Sequence, residues 1–119
     1  MKLAAQIAAA LVAALHLYFL VLEMFLWTRP FGRRTFGLTP EFAAASKSLA
    51  ANQGLYNGFL AAGIAWGLWL GDAGRGVMLF FLACVVVAGI FGAVTVSRKI
   101  LMVQALPGVI ALALVWLAA

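Results

Sequence analysis

His16, Leu20, Glu23 and Trp27 stand four, three and four residues apart, so on a helix they share one stripe. Glu23 interrupts an apolar run. A carboxylate kept in such surroundings is expensive, and it marks a functional site by default. The chemistry open to it is general acid or base catalysis, with His16 as a second proton-handling group. A further polar set opens the stretch "ANQGLYNGFLAAG", residues 51–63, where Asn52, Gln53, Tyr56 and Asn57 precede a long apolar run. Gln104 stands three residues before Pro107. Amides donate and accept at once, which suits them to orienting a ligand or a carboxyl. The expected site is therefore Glu23 and His16 as catalytic groups, with Asn52, Gln53, Tyr56, Asn57, Gln104 and Trp27 as ligand contacts.

Each of these residues has a plainer use. Glu23 pairs with a loop arginine such as Arg29, His16 is a hydrogen-bonded core residue, and the amides are glue between helices. Trp27 and Tyr56 serve as interfacial anchors. No metal is expected, because one His, one Glu and a distant Cys84 do not make a ligand set. No cofactor is expected either. There is no glycine-rich phosphate loop, no Ser–His–Asp arrangement and no pair of cysteines. Cys84 reads as a small buried hydrophobe.

The elements that must position these groups follow from composition. Of 119 residues, 67% are hydrophobic and 9% charged, against about 25% charged in a soluble domain. So short a chain cannot bury that much apolar surface in its own interior, so the bilayer is the expected partner. The net charge of +5 sits in short connectors and not in a run that tracks a phosphate backbone, which argues against nucleic acid. A spanning helix takes about 20 apolar residues. Spans are expected at about 3–27, 48–70, 77–96 and 100–117, forming one transmembrane domain over residues 1–119. The first run resembles a signal peptide, but it continues through His16 and Glu23 to Trp27 and is read as a retained helix. Thr39-Pro40-Glu41 is a helix start, and "TRPFGRRTFGLTP" before it is a connector. Glycines at 54 and 58, 63 and 67, and 89 and 92 are spaced to let helices close on one another.

The basic residues orient the spans. Arg29, Arg33, Arg34, Lys47, Arg98 and Lys99 fall on one side, and Lys2 and Arg75 on the other. Basic connectors stay cytoplasmic, which puts both termini on the non-cytoplasmic side. The expected fold is an all-α, integral membrane four-helix bundle. With Trp27 as the cytoplasmic end of span one, Glu23 lies about 6 Å deep and His16 about 16 Å deep. Asn52 and Gln53 come out roughly 5–7 Å deep, Gln104 about 6 Å, and Tyr56 and Asn57 roughly 11–13 Å. These depths make Asn52 or Gln53 the expected partner of Glu23.

The stretches "HLYFLVLEMFLWTRPFGRRTFGL", "AANQGLYNGFLAAG" and "VQALPGVIALAL" together resemble a family of short, mostly bacterial membrane proteins filed as a domain of unknown function. The resemblance covers nearly the whole chain, and NQGLYN is its most specific part. It implies a four-span membrane protein of about this length with His16, Glu23, Trp27, Asn52, Gln53, Asn57 and Gln104 at motif positions, and it implies no reaction; the expected location is a bacterial inner membrane. The leading functional expectation is a cytoplasm-facing polar pocket inside the membrane for a small lipophilic or amphipathic ligand, with Glu23 as the acid or base should it be an enzyme. The alternatives are a small proton-coupled exporter working as a homodimer, and a structural or assembly subunit.

Overall fold

A computed structural model of the chain describes residues 1–118, and among them all regular structure is helical. Helix α1 runs Leu3–Met24, α2 Pro30–Phe36, α3 Pro40–Leu70, α4 Arg75–Thr95 and α5 Leu106–Leu117. A 3-10 turn, Gly71–Gly74, joins α3 to α4, and a π-helical turn, Leu101–Ala105, leads into α5. By length and composition Leu3–Met24 and Pro40–Thr95 are apolar enough to cross a membrane, the second stretch holding both α3 and α4. Leu101–Leu117 is a shorter apolar helix.

Single residues set where these helices start and stop. Thr39 caps α3, its hydroxyl accepting from the N–H of Phe42 at 3.1 Å. Pro40 follows at the first helical position, where a missing N–H costs nothing. The stretch read as a connector contains α2. Pro30 opens it, and Gly37 closes it at φ 65°, a left-handed conformation open to a residue without Cβ. The N–H groups of Gly37 and Leu38 both reach the Arg33 carbonyl. The residue types that looked like breakers are a start and a stop signal. Pro107 accounts for the π turn. Its ring crowds the carbonyl four residues back and it offers no N–H, so the preceding turn widens, and Leu106 bonds to the Leu101 carbonyl.

The chain forms two compact units. One holds Met1–Ala14 and the chain from Leu60 onward; the other is Leu15–Phe59. In the first, Ala5, Ala9 and Val12 of α1 join Ala61 and Ile64 of α3, Met78, Leu82 and Val85 of α4, and Ala111 and Val115 of α5 in a buried core. Spacings of three and four put each helix's contribution on one stripe. The helices approach through small residues. A Cβ on Gly89 would lie 2.7 Å from the Ala105 nitrogen, and one on Gly63 would lie 2.4 Å from the Phe81 ring. Arg75 donates to the Trp116 carbonyl at 2.9 Å and lies over its ring. The Met1 ammonium pairs with Asp72, holding that exposed carboxyl below its usual range by hydrogen bonding first and charge second.

Candidate functional site

The second unit brings the end of α1 against the first half of α3. Gly54 lies against Leu20, Glu23 and Met24, and Gly58 against Leu20. Contacts retreat along α1 as α3 advances, so the two segments run antiparallel. The approach is close because Gly54 has no side chain: a Cβ there would sit 3.1 Å from Cβ of Glu23 and 3.2 Å from the Leu20 carbonyl oxygen. One turn further along α3, the Asn57 amide donates to Oε1 of Glu23 at 2.5 Å. Asn57 is 5% exposed, while Glu23 keeps part of its surface open. A bond from an amide to a carboxylate is charge-assisted, and it fixes the carboxyl's orientation. Among the described residues Glu23 makes no ion pair, and its other oxygen, Oε2, stays available to a further donor.

Glu23 therefore meets an amide of α3, and that amide is Asn57 and not Asn52 or Gln53. The difference comes from where α1 ends. The expected depths take Trp27 as the end of a continuous helix, but the helix stops at Met24. Phe25 and Leu26 both bond to the Val21 carbonyl, and the chain turns away. Trp27 folds onto α3, where its Nε1 donates to the Ser46 hydroxyl at 3.0 Å, and its ring lies 5.0 Å from that of Phe36. Trp27 thus fastens the turn between α1, α2 and α3.

Asn52, Gln53 and Tyr56 are exposed. The buried stripe of α3 runs through Ala43, Ala50, Gly54 and Asn57, at spacings of seven, four and three. At 100° per residue, Asn52 and Tyr56 fall on the opposite face of the helix. His16 is fully buried, with its ring edge-on to Phe19 at 5.3 Å. It stands seven residues before Glu23, about 10 Å along the helix. Gln104 is half-buried in the π turn of the first unit. The geometry thus joins Glu23 and Asn57, keeps His16 on the same α1 stripe, and leaves Asn52 and Gln53 exposed on α3. Gly54 and Ser46 join the site although neither carries an obvious chemical signal in the sequence. Gly54 was legible as a small residue three before Asn57; nothing in the pattern marked Ser46.

Among the described residues no group of three or more His, Cys, Asp or Glu is close enough to hold a metal. Open clefts lie elsewhere among the described residues. One of about 330 Å³ is lined by Pro30, Arg33, Arg34, Gly37 and Leu38, and one of about 460 Å³ by Phe80, Ala83, Cys84, Val87, Ala88 and Phe91. Neither includes Glu23 or Asn57.

Comparison with known proteins gives a family and no chemistry. A family model described as protein of unknown function (DUF1304) matches residues 10–116. The chain is similar to uncharacterized protein YpaA of Lactococcus lactis subsp. lactis (strain IL1403), with 27% identity over 100 residues, covering 82% of this chain and 84% of that protein. No solved structure matches the chain.

Proposed function

Given that the chain belongs to the DUF1304 family, we propose that it is a four-span protein of the bacterial inner membrane whose Glu23–Asn57 pair binds a small lipophilic or amphipathic ligand from the cytoplasmic side. The membrane part is supported by exposure. Only 22% of the most apolar window of each long stretch is buried within the chain, whereas the core helix of a soluble protein is mostly buried. Exposed apolar surface on this scale calls for lipid around it. Both termini lie on the non-cytoplasmic side, because the connector between α1 and α3, the first turns of α3 and the connector between α4 and α5 together hold six of the eight basic residues.

The single observation that carries the ligand reading is the bond from Asn57 to Glu23. A structural carboxylate in an apolar helix is expected to find a cation. This one is held by a neutral amide, keeps part of its surface open, and leaves one oxygen for a ligand donor. The arrangement suits a group that orients a polar head or moves a proton. The test is native mass spectrometry of the protein extracted with its membrane lipids. A small molecule retained by the wild type and lost from Glu23→Gln supports the reading. Equal retention by both, or by neither, refutes it.

A further inference from the structure

We infer that α2 and the cleft beside it bind the phosphate headgroup of an anionic lipid. Three observations meet there. The first is charge. Arg29, Arg33 and Arg34 fall within six residues, and among the described residues no carboxylate pairs with any of them; the ion pair present is that of Met1 with Asp72. The second is the 330 Å³ cleft itself, which Arg33 and Arg34 line with Pro30, Gly37 and Leu38. Arg33 Nε is buried and has no hydrogen-bond partner in the protein. A guanidinium so held has its remaining donors to offer, and a phosphate is an acceptor matched to that planar fork.

The third observation is apolar exposure in the same stretch of chain. Phe25, Phe31 and Phe42, all in or flanking the α1–α2–α3 turns, are 65%, 49% and 50% exposed. Large exposed aromatics in the same stretch of chain as these arginines suit a surface in the headgroup zone, its rings toward the acyl chains and its cations toward the phosphates. A freely dissolved phosphate explains the arginines and not the phenylalanines, so the source is the lipid. The inference rests on the membrane reading above, and on its topology. α2 lies on the side where anionic lipids attract juxtamembrane basic residues.

The test uses the full chain in detergent micelles, offered dioleoyl phosphatidylglycerol or dioleoyl phosphatidylcholine, with bound lipid counted by native mass spectrometry. We expect phosphatidylglycerol to be retained at least ten-fold more strongly. Each arginine near such a surface is worth about five-fold, so Arg34→Gln should cut the preference about five-fold and Arg33→Gln with Arg34→Gln should nearly abolish it. Arg34 is exposed, so the single variant keeps the test available if the double variant does not fold. Equal retention of the two lipids by the wild type, or a preference undiminished in Arg34→Gln, overturns the inference. Displacement of phosphatidylglycerol by millimolar inorganic phosphate overturns it as well, because the site would then be one for a soluble anion. A chain that stays soluble without detergent defeats the membrane reading. Lipid indifference in a detergent-dependent chain defeats this inference alone.

Discussion

Gly54→Ala tests the geometry that brings Glu23 to Asn57. The added methyl would lie 2.7 Å from Cγ of Met24, 3.1 Å from Cβ of Glu23 and 3.2 Å from the Leu20 carbonyl oxygen. The Met24 side chain moves aside at little cost, but the other two atoms belong to the α1 backbone or are fixed to it. The helices must therefore part by several tenths of an ångström at the Glu23 level. Overpacking of this kind costs about 1–3 kcal/mol. Replacing glycine within a helix returns about 0.5–1 kcal/mol of that. The net expectation is a loss of about 0.5–2 kcal/mol, or a fall of roughly 2–8 °C in the thermal midpoint. Gly76→Ala in α4 is the control, since a Cβ there meets nothing within 4 Å. It should leave the midpoint unchanged or raise it slightly. The assay is thermal unfolding in one detergent, followed by circular dichroism. A Gly54→Ala protein as stable as Gly76→Ala would refute close approach of α1 and α3 at this level.

Three further outcomes are expected. Gly32→Ala should destabilise more than Gly54→Ala, because its Cβ would fall 1.8 Å from the backbone oxygen of Leu26; comparison of the two thermal midpoints decides it. Trp27→Phe keeps the ring and removes the donor to Ser46. It should cost about 0.5–1.5 kcal/mol, read by chemical denaturation, and a neutral result would make that bond dispensable. In a Cys84→Ala background, cysteine reporters at 33 or 98 should resist an impermeant thiol reagent in intact cells, while a reporter at position 2 reacts. The opposite labelling would invert the topology.

The sequence revealed helices better than it revealed faces. Thr39-Pro40-Glu41 announced the start of α3, since a hydroxyl followed by an imino acid has few other uses. α2 was hidden because Pro30 and Gly37 are breakers in most contexts, and only their order, proline first and glycine last, marks a helix. The partner of Glu23 was anticipated as an amide of α3, but a turn away from the true one. Depth counted from Trp27 takes the helix to reach it, and no residue type forces α1 to stop at Met24. The face of α3 was legible in principle. Ala43, Ala50, Gly54 and Asn57 follow helical spacing, and small residues mark the side that packs. The amides drew attention to the opposite side.

The proposed site is tested most directly by measuring ligand retention and thermal stability together in Glu23→Gln. The amide preserves the shape of the side chain and still accepts a bond from Asn57, while removing a charge whose burial costs several kcal/mol when poorly compensated. Proteins tolerate such groups at functional sites. We therefore expect a thermal midpoint equal to or slightly above the wild type, with loss of whatever small molecule co-purifies. Asn57→Leu should weaken retention less, since it removes one orienting contact and no ionisable group. A Glu23→Gln protein that unfolds far earlier and yet keeps its ligand would make Glu23 a structural residue and contradict the proposal.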